Sequence, residues 1–75
     1  MRAMPGPVRN LEDLRYELTR MKAGEKLPMF HSKFEIVFGG GWETDDAARH
    51  AANQLAHDHN CVIEQYPAGV EFTKL

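Results

Sequence analysis

Phe34-Glu35-Ile36-Val37-Phe38-Gly39-Gly40-Gly41-Trp42 is the stretch on which the fold turns. Phe34, Ile36 and Phe38 alternate with Glu35 and Val37, the period of a half-buried strand with three large side chains on its core face. The triple glycine then releases the chain. Thr44 is the expected N-cap of a second helix, with Asp45 and Asp46 favouring its positive end. Ala48, Ala51, Ala52 and Leu55 form its apolar stripe, running on to His59, and their small size lets the helix lie close to a sheet. Asp45 and Arg49 are spaced for an i,i+4 ion pair. Asn60 suits a left-handed terminator.

Upstream, Asn10 reads as an N-cap with Asp13 three residues on, and Leu11, Leu14, Leu18 and Met21 fall on one side of a first helix. Ala23-Gly24 should end it. Glu25 to Ser32 reads as a connector lying across the core edge, because Pro28 argues against a central strand there. Downstream, Cys61–Tyr66 and Val70–Lys74 read as strands joined at Pro67-Ala68-Gly69. Of two registers, the one placing Gln65 opposite Val70 sets Ile63 against Phe72 and makes one clean core face. It also sets Glu64 against Glu71, a like-charge pair costing roughly a few tenths of a kcal/mol.

The expected fold class is therefore α+β: α-β-α-β-β order, with a three-stranded, mainly antiparallel sheet and two helices on one face. The last strand is expected between the other two. Residues 10–75 form one small domain, preceded by an extended arm over residues 1–9 that is punctuated by Pro5, Gly6 and Pro7.

Composition narrows the function classes. A chain of 75 residues buries only ~60% of its unfolded surface, so its core is marginal. Cys61 is the single cysteine, which excludes an intrachain disulfide and a Cys-rich zinc cage and fits a reducing cytoplasm. No secretory leader or membrane span is expected from the first residues. Residues 1–33 hold seven basic and four acidic side chains, and residues 34–75 hold two and seven. Such asymmetry speaks to partners rather than to fold.

The chemical motifs are weak. Strand, triple glycine and helix start suggest a phosphate cradle, but the spacing matches neither GxGxxG nor a P-loop, and Glu43, Asp45 and Asp46 would repel an anion. The expected role of the glycines is to let Trp42 fold back. Asp46 and His50 have a spacing that can clip a metal ion, with His57 on the same side; such groups are more commonly a solvated polar face, and neither metal nor cofactor is expected. Cys61 beside His57, Asp58 and His59 lacks an identifiable oxyanion donor, and a buried structural thiol is the expectation. No catalytic residue is assigned.

One sheet face in this reading has no helix to cover it. It would display Glu35, Val37, Val62, Glu64, Tyr66, Glu71 and Thr73, an acidic surface with apolar and aromatic points. Trp42 is a second expected contact, weighed against a role plugging the core beside the glycines. The expected function is non-enzymatic: a protein-binding inhibitor or regulator whose acidic face meets a larger protein or nucleoprotein complex with a basic surface. Its size and lack of catalytic groups fit the profile of phage or mobile-element anti-defence proteins, anti-CRISPR proteins among them. The alternative is a small nucleic-acid-binding module using Arg2, Arg9, Arg15, Lys22 and Lys26, although the sequence pI near 6.0 lies below the usual basic range. A homodimer through an unpaired sheet edge is a further expectation.

Overall fold

The computed structural model describes residues 8–75. The chain runs α1 (Leu11–Arg20), β1 (Lys26–Phe30), α2 (His31–Phe38), α3 (Asp46–Asp58), β2 (Cys61–Tyr66) and β3 (Gly69–Lys74). The three strands form one antiparallel sheet in the order β1-β3-β2, so the last strand is central. This is an α+β fold, with the helices packed on one face of the sheet. The expected arm falls outside the described residues as far as residue 7. Val8 packs against the core, and the Arg9 backbone N–H donates to Asp13 Oδ2 at 3.0 Å.

Local chemistry sets the element ends that the residues predict. The Asn10 side chain accepts from the Asp13 N–H at 2.9 Å, a cap worth ~1 kcal/mol. Leu14, Leu18 and Met21 bury one side of α1, while Leu11 stays partly exposed at the first turn. Lys74 Nζ donates to the Leu18 carbonyl at 2.8 Å and so satisfies part of the open end of α1. Asn60 adopts φ 58 after α3. In the hairpin, Gln65 stands opposite Val70, Ile63 opposite Phe72 and Glu64 opposite Glu71, the register that buries one face.

The decisive stretch is a helix, not a strand. Phe34 and Val37 are buried and Phe38 is partly buried, at i, i+3 and i+4, while Ile36 is 67% exposed. Phe34 packs on Phe38 with centroids 4.6 Å apart and meets Trp42 edge-on at 5.7 Å. Each such pair adds about 0.5–1.5 kcal/mol beyond area burial. Gly39 ends α2 in the left-handed region, φ 75, with its N–H on the Glu35 carbonyl. The start of α2 has no side-chain cap; instead the His31 N–H donates to the Ala68 carbonyl of the β2–β3 turn at 3.1 Å. The third strand comes from the expected connector, with Leu27 and Met29 inward and Lys26, Pro28 and Phe30 outward. Pro28 is tolerated because β1 is an edge strand, whose outer row of N–H groups has no ladder partner to lose. Among the described residues the order is thus α-β-α-α-β-β, with three helices instead of two.

Around α3, the N-cap is Asp45 rather than Thr44, its Oδ1 accepting from the Ala48 N–H at 3.1 Å. With Asp45 so occupied, Arg49 pairs with Asp46 instead. Ala48, Ala52, Leu55 and Ala56 are buried, whereas Ala51 faces outward.

Candidate interaction surface

Two ladder registers place nine residues of the helix-free sheet face in three rows. Phe30, Gly69 and Tyr66 form the first, Pro28, Glu71 and Glu64 the second, and Lys26, Thr73 and Val62 the third. Directly opposed residues of an antiparallel ladder project to the same side, which is why the rows read across all three strands. The opposite side carries Met29, Val70, Leu27, Phe72, Ile63 and Cys61, which make or border the core. Phe30, Tyr66 and Val62 are the large exposed side chains of the open face, at 70%, 44% and 41% exposure.

Glu64 and Glu71 stand opposite one another, so their charges repel. The Tyr66 hydroxyl lies 3.2 Å from Glu64 Oε2 and 3.3 Å from Glu71 Oε1, and its one proton serves both carboxylates. The phenol consequently ionises above its usual 10.0, first because Glu64 opposes a second negative charge, with Glu71 adding to the effect. Lys26 Nζ sits 3.6 Å from Glu71 Oε1 and offsets the charge on the other side. Thr73 Oγ1 is shielded from solvent and has no hydrogen-bond partner among the described residues.

Gly69 shapes the middle of the first row. A Cβ there would lie 2.1 Å from the Met29 carbonyl oxygen and 2.8 Å from Phe30 Cα, so only glycine lets β1 approach β3. The missing side chain leaves a notch of about 80 Å³ between Phe30 and Tyr66, bordered by Pro28, Ala68 and Glu71.

Of the residues expected on this face, Val62, Glu64, Tyr66, Glu71 and Thr73 share it. Glu35 and Val37 do not: both lie on α2, Glu35 exposed and Val37 in the core. The face is accordingly less acidic than expected, with Lys26 against Glu64 and Glu71. Trp42 is only 9% exposed and packs edge-on against Phe34, so it is core and offers no surface anchor. Lys26, Pro28, Phe30 and Gly69 are the members that sequence reasoning missed. The alternation of Leu27 and Met29 against Lys26, Pro28 and Phe30 was the available signal, and treating Pro28 as a break concealed it.

The described members of the basic set have separate surroundings. Lys26 is on the open face, Arg9 pairs with Asp13 at 3.5 Å, and Arg15 lines a groove of about 260 Å³ on the helical side, between α1 and α3. The Lys22 backbone N–H is held by Glu25 just beyond α1, and Arg2 lies outside the described residues. Asp45 already takes the Ala48 N–H at the helix start, and its charge repels a phosphate there. No three His, Cys, Asp or Glu side chains converge among the described residues. Cys61 is buried, its Sγ 3.4 Å from the His59 carbonyl, while the His59 ring bonds the Leu55 carbonyl. Burial pushes the Cys61 thiol above its usual 9.0, partly opposed by Lys74. That is the reverse of what an activated nucleophile needs. Among the described residues, no helix is long and apolar enough to cross a membrane.

Comparison with protein-family models, with characterised proteins and with solved structures returned no match.

Proposed function

We propose that this chain is a non-enzymatic protein-binding module, acting as a small inhibitor or regulator of a larger protein or nucleoprotein complex. The contact would be made by the open sheet face. One observation carries the reading: three strands present an aromatic and apolar surface, Phe30, Tyr66 and Val62, beside two carboxylates, while α1, α2 and α3 all pack on the other side. An exposed apolar group costs solubility without adding to the fold, so several of them on one face of a rigid sheet are best explained by a partner that covers it. Tyr is also a type enriched where interfaces concentrate their energy.

The mechanism is steric or competitive occupation of the target, with anti-defence proteins of the anti-CRISPR kind as one setting that suits so small a chain. Glu64 and Glu71 would steer the face toward a basic surface, and Phe30, Tyr66 and Val62 would supply the desolvated contact.

The test is affinity capture from the source cell with wild type, Val62→Glu and Glu12→Gln proteins, read by mass spectrometry. The expected result is a partner held by wild type and Glu12→Gln and lost by Val62→Glu, with all three chains equally folded by circular dichroism. A partner that survives Val62→Glu sinks the open face as the contact.

A further inference from the structure

The notch in the first row has a composition of its own. Phe30 and Tyr66 line it from the two flanking strands, the buried Gly69 lies between them, and Glu71, which accepts from the Tyr66 hydroxyl, borders it. The walls sit on β1 and β2, which flank β3, so their backbones are about 10 Å apart, two interstrand spacings. Two planar side chains rooted at that spacing can take one flat group between them, and the notch of about 80 Å³ is of that size. The floor is kept clear by the clash a Cβ at Gly69 would make with the Met29 carbonyl.

Charge decides what kind of flat group. Glu71 Oε1 holds Lys26 and the Tyr66 hydroxyl, while its second oxygen accepts from no described residue. Glu64 lies across the same row and is joined to Glu71 through the Tyr66 hydroxyl. This pair repels an anion, and two acids against Lys26 leave one negative charge that a neutral ring would not answer. A cation with a planar face satisfies both the rings and the acid. Guanidinium does so best, since it stacks on aromatic faces while an in-plane N–H reaches the open carboxylate oxygen, whereas an ammonium is a strongly hydrated point charge.

We propose that the Phe30–Gly69–Tyr66 notch binds an arginine side chain of the partner, stacked between the two rings with its guanidinium on the free oxygen of Glu71. This occupant deepens the open-face reading and rests on it. Lys26 is then the internal counterion that keeps Glu71 in place until the partner arrives.

The experiment uses the full chain, isotope-labelled, titrated with acetyl-Gly-Arg-Gly-amide and with the peptides bearing Lys or Ala in place of Arg, followed by backbone amide shifts. The Arg peptide should move Phe30, Gly69, Tyr66 and Glu71 and leave α3 unmoved. It should bind about tenfold more tightly than the Lys peptide, the factor that stacking on the two aromatic side chains supplies. Tyr66→Ala and Glu71→Gln should each remove most of that preference while the rest of the spectrum stays in place. Equal binding of the Arg and Lys peptides overturns the assignment, because charge alone would then suffice. Shifts spread over the helical side overturn it as well. If Val62→Glu abolishes capture of the partner but the Arg peptide fails to titrate, the interface stands and the arginine assignment falls. If the peptide titrates and Val62→Glu still captures the partner, the face is not the contact, and the assignment to a partner's arginine falls with it.

Discussion

Residues 36 and 37 offer the sharpest test of the fold. Val37→Ala removes two buried methyl groups from a side chain that is 8% exposed. At ~0.8 kcal/mol per buried carbon, plus a term for the cavity left behind, the loss is about 2–3 kcal/mol. Ile36→Ala removes three carbons, but Ile36 is 67% exposed. Roughly a third of the same transfer energy is at stake, about 0.8 kcal/mol, and the better helix propensity of Ala returns up to ~0.5 kcal/mol in either variant. Ile36→Ala should therefore lie within ~0.5 kcal/mol of wild type, and Val37→Ala about 2 kcal/mol below it. A strand over residues 34–38 demands the reverse, since Ile36 would join Phe34 and Phe38 in the core and cost 2–5 kcal/mol, a range typical of Ile→Ala in cores. Urea unfolding followed by Trp42 fluorescence reads both, because Trp42 is buried against Phe34. A larger midpoint shift for Ile36→Ala than for Val37→Ala refutes the helix and the core drawn from it.

Three further outcomes follow from the same geometry. Gly69→Ala forces a Cβ into the Met29 carbonyl and should cost ~3 kcal/mol, a serious loss for a domain whose whole stability is of order 4–11 kcal/mol; an unchanged urea midpoint would mean that β1 does not approach β3 as described. The Tyr66 phenol, raised chiefly by Glu64, should titrate above 10.0 by ultraviolet difference absorbance, and Glu64→Gln should bring its midpoint down relative to wild type; no movement would disprove the contact. Cys61 should react slowly with a disulfide reagent at pH 8 in the native protein and quickly in urea. Its native pKa is raised above the unfolded value of 9.0, so the thiol's contribution is whole below pH 9 and falls as pH climbs past it, a decline that Cys61→Ala should remove.

Much of the architecture was legible in the residues because it depends on neighbours in the chain. Asn10 and Asp13 start α1 by a bond across three positions. The 13-residue Ala-rich α3 carries its period over enough turns to leave no alternative. The hairpin register follows from alternation on both strands and a short turn, which together set Ile63 against Phe72. These pieces sufficed for the α+β class and for five of the open-face residues: Val62, Glu64, Tyr66, Glu71 and Thr73.

What tertiary structure alone decided is the middle of the chain. Five residues, Phe34 to Phe38, fit a period of two through Ile36 and a period of 3.6 through Val37 equally well. The helix wins because β3 begins at Gly69, opposite Phe30, so beyond His31 the chain has no strand in that ladder to pair with. Pro28 forbids a central strand but not an edge one, and which of these β1 becomes depends on β3 taking the place between it and β2. That exchange moves Glu35 and Val37 off the sheet and puts Lys26, Pro28 and Phe30 on it. The local alternation over residues 26–30 allows a strand, but which strand lies beside β1, and with it the aromatic notch over Gly69, is a product of long-range pairing.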